Sequence, residues 1–279
     1  MAITGQAEKG EVFAALHEGP GAFVIPNPWD AGSACVLADL GFEALATTSS
    51  GFAFTLARPD GALAVPREAV LANARAIVEA TDLPVSADLE NAYGDAPEAC
   101  AEIIPLAAAA GLVGCSIEDY SGRAEAGIYD FGLALERVQA AVEAAARLPF
   151  RFTLTARAEN LIRGRDDLND TIRRLQAYEA AGADVLYAPG LNTVEALRAV
   201  TSSVSKPVNA LASPGNAALR FEDYAEAGVK RISVGGTLAR IAVGAFMDAA
   251  RAIAEHGDFG HARHAAAMGE LDQLIKGRY

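Results

Sequence analysis

Short apolar segments alternate along the chain with longer, alanine-rich stretches. Several apolar segments follow directly on a glycine that ends the preceding stretch, at Gly41, Gly111, Gly182 and Gly228. Glycine is typical after the last turn of a helix because it adopts the left-handed backbone conformation at low cost. The pattern therefore predicts strands after these glycines and at similar apolar segments, namely at residues 23–25, 42–47, 84–87, 113–117, 152–155, 185–187, 208–211 and 232–234.

The stretches between these strands are predicted to be helices, because alanine is the strongest helix former. Their approximate ranges are 30–40, 66–80, 97–108, 133–147, 168–181, 221–227 and 238–255, and Asn192 with Glu195 resembles the capping box of one more helix. About eight strands that alternate with helices over ~250 residues fit a single (β/α)8 barrel of the α/β class. A doubly wound open sheet is the alternative, disfavoured because no strand precedes a GxGxxG turn.

The chain is predicted to divide into a catalytic barrel domain, residues 1–255, and a helical extension, residues 256–279. The sequence HGDFG at 256–260 interrupts the pattern, and a further helix is expected at about 261–275. An amphipathic helix beyond a closed barrel must bury its apolar face somewhere, and a neighbouring subunit offers one place. We therefore expect a homo-oligomer in which this helix packs on a neighbour.

Composition narrows the range of partners and compartments. The net charge of −13 over 279 residues argues against nucleic acid or an anionic membrane as a partner. Cys35, Cys100 and Cys115 are odd in number and widely spaced, which predicts buried thiols in a reducing compartment. The first residues lack the regions of a signal peptide, and the longest uncharged run, 103–117, is too short to span a bilayer. We expect a cytoplasmic protein that binds a small molecule.

The segment PVSADLENAYG, residues 84–94, carries the first candidate chemistry. Alternate residues of an extended chain point the same way, so Asp88 and Glu90 project together from the end of the predicted strand. Two adjacent carboxylates repel unless a proton or a cation lies between them. With no Cys or His nearby, the favoured cation is Mg²⁺ rather than Ca²⁺ or Zn²⁺. On spacing alone, an ordinary acidic loop explains the segment as well.

Polar residues follow four consecutive strands, whose carboxyl ends lie at the active face of such a barrel. Because strands two to five are neighbours on the barrel wall, their ends can converge. Arginine is a rigid fork suited to a carboxylate or a developing oxyanion. The residues in question are Ser50 and Gly51, then Asp88 and Glu90, then Glu118 and Asp119, then Arg157 and Glu159. The four histidines, including His17, lie outside the strand ends and are expected on the surface, whereas Tyr93, Tyr120 and Tyr187 are candidates to line the pocket.

Together these motifs resemble the isocitrate lyase / phosphoenolpyruvate mutase superfamily. The resemblance covers about residues 20 to 250 and is carried by TSSG at 48–51, RPD at 58–60, DLE at 88–90, SIED at 116–119 and TARAE at 155–159. It implies a Mg²⁺ site (Mn²⁺ is possible) with Asp88, Glu90 and Glu118 as its acidic shell. It also implies Ser50 and Gly51 at the substrate carboxylate and Arg157 at the enolate oxygen. Further substrate-side residues are expected at Thr48, Asp60, Glu159 and Asn209, with Asp60 near the metal waters. The resemblance also implies a dimer or tetramer in which the C-terminal helix is exchanged between subunits.

The resemblance implies a lyase that cleaves a C–C bond of a small 2-oxo or 2-hydroxy (di)carboxylate through a metal-bound enolate. The loop after the fourth strand departs from the family, because it lacks the Lys-Lys/Arg-Cys-Gly-His segment that carries the general acid. Arg123 and Glu125 are the candidate catalytic groups in this loop, which could close as a lid. Phosphonopyruvate-type P–C chemistry, a non-catalytic 2-oxo acid binder and a Mg²⁺-dependent class II aldolase barrel are the alternatives.

Overall fold

Eight parallel strands form the wall of a barrel in the computed structural model, which describes residues 5–276. The hydrogen-bonded order is β1-β8-β7-β6-β5-β4-β3-β2, so the strands follow one another around the wall. The predicted (β/α)8 barrel is therefore confirmed. The strands are β1 (Phe23–Ile25), β2 (Leu45–Ala46), β3 (Val85–Asp88), β4 (Gly114–Glu118), β5 (Thr153–Arg157), β6 (Val185–Tyr187), β7 (Val208–Leu211) and β8 (Arg231–Ser233).

The seam between β1 and β2 is closed by contacts beyond the ends of both short strands. The backbone N–H of Ala46 donates to the carbonyl of Pro26 at 3.1 Å. The buried side chain of Asn27 donates to the carbonyl of Thr47 at 3.0 Å and accepts the N–H of Val234 at 2.9 Å. One amide side chain thus ties the first, second and last strands together at the active face.

The described helices surround the wall, and nearly all predicted ones are present. The segment predicted as one helix at 261–275 is instead a 3₁₀ turn, Gly260–His264, followed by a separate helix. All four glycines that were predicted to end helices have positive φ, between 84° and 103°. The helices are α1 (Gln6–Glu18), α2 (Ala31–Asp39), α3 (Ser49–Thr55), α4 (Arg67–Glu79), α5 (Pro97–Ala109), α6 (Phe131–Ala146), α7 (Leu168–Ala180), α8 (Val194–Thr201), α9 (Phe221–Glu226), α10 (Thr237–His256) and α11 (Met268–Lys276).

Helix α1 was not predicted, and it corrects the expectation for His17. The side chain of Phe13 in α1 packs with Phe23 and Ile25 in one buried cluster, which places α1 over the amino-terminal end of the barrel. His17 is only 7% exposed and its ring meets the rings of Phe13 and Phe23 edge-on. The prediction of a surface histidine was wrong because it did not foresee the helix that buries it.

The three cysteines are buried and unpaired, as predicted. Cys100 and Cys115 lie in the apolar layer between the strands and the outer helices. Burial raises the pKa of the Cys100 thiol to about 11. These thiols are therefore packing residues.

Helix α10 follows β8, where a helix was expected to cover the last strand. Only Ala239 of this helix is buried, whereas Ile241, Phe246 and Met247 are 62%, 70% and 41% exposed. Its apolar side chains therefore find little cover among the described residues. None of the described helices combines the length and apolar character that crossing a bilayer requires.

Candidate active site

Four chemically important residues occupy the last positions of four neighbouring strands. Asp88, Glu118, Arg157 and Tyr187 end β3, β4, β5 and β6, and the strand register places Glu118 beside Arg157 and Arg157 beside Tyr187. Because parallel strands carry their carboxyl ends on one face, these side chains meet at the barrel mouth. The predicted convergence of Asp88, Glu118 and Arg157 is present in the structure.

Arg157 lies at the centre of this group. Its guanidinium hydrogen-bonds Glu159 and approaches Glu118 Oε2 at 3.4 Å and Asp88 Oδ1 at 3.8 Å. It also lies over the ring of Tyr187, 5.1 Å from the centroid. Burial alone would lower the pKa of Arg157, but Glu159 and Glu118 outweigh it and raise that pKa above its ordinary value. The arginine is therefore a permanent, oriented cation.

A second arginine, Arg163, completes the group and was not predicted. Its Nε donates to Glu159 Oε2 at 2.9 Å, its Nη2 lies 3.6 Å from Glu118 Oε1, and its guanidinium stacks on the ring of Tyr120 at 3.7 Å. Glu159 and Arg163 are four residues apart, the spacing of helical ion pairs, which was the available signal in the sequence. Glu159 is fully buried between the two arginines, so it orients them and does not face the cavity.

Glu118 is buried beside the same arginines. Burial and the neighbouring Glu159 raise the pKa of Glu118 well above its ordinary value, although Arg157 and Arg163 oppose this rise. Its carboxylate already faces both guanidinium groups. Asp88 and Glu90 are therefore the carboxylates that remain for direct contact with a cation.

Glu90 has the environment of a carboxylate that lacks a counterion. It is 8% exposed, and its carboxylate makes no hydrogen bond or ion pair with any residue in 5–276. Burial, Asp88 and Asp60, in that order, raise the pKa of Glu90 to about 8. Burial and Asp88 likewise raise the pKa of Asp60, although much of that residue is exposed. These three carboxylates destabilise one another in their ionised forms, and a cation between them would relieve that repulsion.

The loop that carries Glu90 has an unusual backbone. Glu90, Ala92 and Tyr93 have φ of 47°, 62° and 60°, a region that non-glycine residues seldom adopt. Such conformations cost on the order of 1–3 kcal/mol each and persist only where surrounding contacts impose them. The N–H of Glu90 donates to Asp88 Oδ1 at 3.3 Å, which links the two candidate ligands directly.

Arg137 of α6 holds this loop from beneath. It is 1% exposed, donates to the carbonyls of Asn91 and Gly94, the latter at 2.6 Å, and lies over the ring of Tyr129 at 4.4 Å. The side chain of Asn91 in turn donates to Tyr129 Oη at 2.9 Å. These contacts impose the strained conformation of the Glu90 loop.

The TSSG segment forms the start of α3, which was predicted as a loop. Thr48 is the N-cap residue, and its hydroxyl accepts the N–H of Gly51 at 3.3 Å and lies 3.1 Å from the Ser50 hydroxyl. The Gly51 N–H is therefore engaged, which leaves the Ser50 hydroxyl as the more accessible group for a substrate carboxylate. A Cβ at Gly51 would come within 2.9 Å of the Trp29 side chain, so only glycine fits here.

Arg123 and Glu125 lie away from the charged residues around Arg157. The loop after β4 is closed by a bridge between Tyr120 and Ile128, and Arg123 pairs outside it with Asp95 at 2.8 Å. The side chain of Arg123 is 43% exposed, and Glu125 is also exposed. In this conformation neither residue reaches the carboxylates at the strand ends.

Asn209 lies inside the barrel below the mouth. Its Oδ1 accepts from Arg231 at 2.8 Å and its Nδ2 donates to the Ser233 hydroxyl at 3.0 Å, so each end of the amide makes one hydrogen bond. Asn209 lines a small chamber inside the barrel rather than the larger cavity at the mouth, where its contact with substrate was predicted.

The group opens into a cavity of about 690 Å³ at the mouth. One side carries Asp60, Asp88 and Arg157, and the other carries apolar side chains such as Leu161 and Leu211. No three His, Cys, Asp or Glu side chains within residues 5–276 are arranged to hold a metal ion directly. Mg²⁺ keeps several waters and needs only one or two carboxylates, so the hard oxygens of Asp88 and the partnerless carboxylate of Glu90 fit this ion.

Comparison with known proteins identifies similar chains. A model of the phosphoenolpyruvate phosphomutase family matches residues 13–254. A crystal structure from Burkholderia cenocepacia J2315, provisionally described as a lyase/mutase, is 53% identical, covers 96% of this chain and 95% of its own, and has a TM-score of 0.93. Oxaloacetate decarboxylase of Pseudomonas fluorescens is 33% identical over 77% of this chain and 73% of its own length. Phosphonopyruvate hydrolase, crystallised with oxalate and Mg²⁺, shares the fold at 23% identity, with a TM-score of 0.85 and coverage of 96% and 95%.

Proposed function

The chain belongs to the phosphoenolpyruvate phosphomutase family within the isocitrate lyase superfamily, and on that premise we propose that it is a Mg²⁺-dependent lyase. The expected superfamily and the expectation of an enzyme of the lyase type are confirmed. The proposed reaction cleaves a C–C bond of a small 2-oxo or 2-hydroxy dicarboxylate and leaves an enolate. The oxaloacetate decarboxylases among the relatives favour an oxaloacetate-like substrate.

The observation that carries this proposal is the position of Arg157. It ends β5, faces the mouth cavity and is held by Glu118, Glu159 and Tyr187. In oxaloacetate, the bond to the distal carboxylate breaks and CO2 leaves, while the electron pair moves onto the 2-oxo group as an enolate whose negative oxygen a fixed guanidinium stabilises. A proton from water then adds to the enolate carbon to give the 2-oxo acid product. Because Arg157 is already oriented, little reorganisation is needed at that moment.

We propose that Asp88 and Glu90 would hold Mg²⁺, with Asp60 and Glu118 placed to bind its waters. The bound ion would supply Lewis acidity that polarises the 2-oxo acid oxygens. Among the solved relatives, phosphonopyruvate hydrolase binds Mg²⁺ together with oxalate. In this chain the support is the partnerless carboxylate of Glu90 and the raised pKa values around it.

Calorimetric titration with oxalate, with and without Mg²⁺, tests the site. We expect oxalate binding that requires Mg²⁺ and weakens by more than ~10-fold in Asp88→Ala. Asp82→Ala is the matched control, because Asp82 is exposed just before the other end of β3. Oxalate binding that is independent of both Mg²⁺ and Asp88 would contradict the metal proposal.

An assay for pyruvate released from oxaloacetate then tests the reaction. Turnover that Arg157→Met abolishes supports the lyase. Tight, metal-dependent oxalate binding without turnover of any 2-oxo or 2-hydroxy diacid would instead indicate a binding protein that has lost its acid loop.

Phosphonopyruvate-type P–C chemistry is the second candidate. It is favoured by the phosphoenolpyruvate phosphomutase model that matches residues 13–254. The same carboxylates and Arg157 would serve, because the P–C reaction also leaves a pyruvate enolate. Phosphate release from phosphonopyruvate, in the absence of C–C cleavage, would favour this candidate.

We also propose a homo-oligomer in which α10 and the segment after it pack on a neighbouring subunit. The support is the exposed apolar set Ile241, Phe246, Met247, Ile253, Phe259 and Met268, between 41% and 71% exposed, because apolar surface of this kind marks an interaction site. Light scattering should give an oligomer mass that falls in Phe246→Glu but not in Phe221→Glu, a comparable change on α9. The division into a domain at 1–255 and an extension at 256–279 is part of this proposal.

A further inference from the structure

Another buried arginine, Arg231, lies inside the barrel below the level of Arg157. It is the first residue of β8 and is 5% exposed. Its Nε donates to Asn209 Oδ1 at 2.8 Å, its Nη2 donates to the Thr155 hydroxyl at 3.0 Å, and its Nη1 lies 3.3 Å from His17 Nε2. These partners are an amide, a hydroxyl and an imidazole, and none of them is a carboxylate.

The charge of Arg231 is not balanced by the protein around it. No carboxylate among residues 5–276 lies within ion-pair distance of its guanidinium. Burial lowers the pKa of Arg231 to about 10, so the group is still a cation at neutral pH. Burial and then Arg231 lower the pKa of His17 to about 3, so His17 is neutral. An isolated buried charge is costly unless an opposite charge comes close.

A chamber of about 60 Å³ lies beside this guanidinium, inside the barrel. Ser86 and Ser116 line it, and neither hydroxyl bonds another described residue. One water needs about 10–15 Å³ of such space, so the chamber holds only a few atoms. Asp88 and Arg157 form its upper rim and pair with each other at 3.8 Å. Among the charged residues that line the chamber, Arg231 is the one without an ion-pair partner in residues 5–276.

We propose that this chamber binds a small monovalent anion of halide size, held by Arg231 and the hydroxyls of Ser86 and Ser116. Water would satisfy the free hydroxyl groups, but it would leave the buried positive charge uncompensated. The limited volume excludes a dicarboxylate, and a single guanidinium matches a single negative charge. The chamber lies deeper in the barrel than the mouth cavity, with Asp88 and Arg157 lining both, and its test needs no activity.

Bromide is the probe, because it scatters X-rays anomalously and resembles chloride. Crystals of the full chain soaked in sodium bromide should show an anomalous peak within hydrogen-bond distance of the Arg231 guanidinium. The peak should persist when oxalate and Mg²⁺ are added. A chamber that holds only water would overturn the proposal. Loss of the peak on adding oxalate would overturn it too, because the chamber would then be part of the substrate site.

Thermal unfolding gives an independent readout in solution. Sodium bromide, compared with a halide-free buffer, should raise the melting temperature by on the order of 5 °C at 100 times its Kd. The rise should vanish in Arg231→Met and remain in Arg198→Met, a change of an exposed arginine on α8. Equal rises in all three proteins would refute the site. If Arg231→Met does not fold, Arg231→Lys, which keeps the charge but loses the fork, should weaken the bromide effect.

Discussion

Arg157 and Arg231 are two buried arginines that face the interior of one barrel, yet their surroundings differ. Arg157 is surrounded by Asp88, Glu118 and Glu159, which raise its pKa. Arg231 has only Asn209, Thr155 and His17, and burial lowers its pKa. The first cation is therefore fixed by the protein itself, whereas the second is held in place but left without a counter-charge.

The difference follows from the position of each residue along its strand. Arg157 is the last residue of β5, where polar loops supply carboxylates around the barrel mouth. Arg231 is the first residue of β8, where α1 closes the other end with apolar rings. A charge at the mouth can be balanced by loop residues and used on a substrate. A charge at the closed end must be balanced by something small enough to enter.

Replacing Arg157 should produce the largest effect. In Arg157→Met, we expect kcat for C–C cleavage to fall by about 10²- to 10³-fold, the usual loss when one oxyanion donor is removed. Arg157→Lys should recover only part of the rate, because an ammonium lacks the fork that Glu118 and Glu159 orient. Steady-state kinetics measure both variants. A loss of less than tenfold would remove Arg157 from the proposed role.

The two arginines should also differ in how much their replacement changes the free energy of unfolding. In a bromide- and chloride-free buffer, Arg231→Met should lower the free energy of unfolding less than Arg157→Met does, because removal of a buried charge without an ionic partner offsets the lost hydrogen bonds to Asn209 and Thr155. Arg157→Met should lower that free energy by about 3–5 kcal/mol, because it leaves buried carboxylates with one cation fewer. Urea unfolding measures both. Similar losses in the two variants would mean that Arg231 is also compensated within the protein.

Protonation of His17, at the closed end of the barrel, should contribute to the pH dependence of the free energy of unfolding. Burial lowers the pKa of His17 from 6.5 to about 3, so the unfolded chain binds more protons between these values. Stability contributed by neutral His17 is present above about pH 6.5 and is lost as pH falls toward 3. The variant His17→Gln should show a shallower loss over this window in urea unfolding. An unchanged slope would show that His17 is not the group responsible.

The smallest effect is expected at the rim, in Arg123. Its pair with Asp95 is exposed, and exposed ion pairs contribute little to stability. Arg123→Ala should therefore leave the free energy of unfolding nearly unchanged. Its kcat is the informative measurement, because a loss above tenfold would mean that the loop swings inward during turnover and brings Arg123 to the substrate.

Several parts of the molecule could be predicted from the sequence because they depend on local chemistry. The glycines at 41, 111, 182 and 228 ended helices through their own backbone freedom. The alternation of apolar and alanine-rich segments gave the barrel, and the order of the strands placed Asp88, Glu118 and Arg157 on one face. Each of these follows from periodicity or from the rule that parallel strands share an active face.

Other features depend on contacts between residues far apart in the chain. The sequence does not indicate that Arg163 stacks on Tyr120 or that Arg137 holds the loop of Glu90. Helix α1 escaped prediction, and with it the burial of His17 against Arg231, more than 200 residues later in the chain.

The sequence by itself thus determined the barrel and the identity of the charged residues at its mouth, because both follow from the spacing and the types of the residues. Only the tertiary structure decided which of those charges are paired. Asp88 and Glu118 both lie within ion-pair distance of Arg157, whereas Glu90 and Arg231 are buried without an ionic partner among the described residues. The physical reason is that the cost of a buried charge depends on burial and distance, which exist only once the chain has folded.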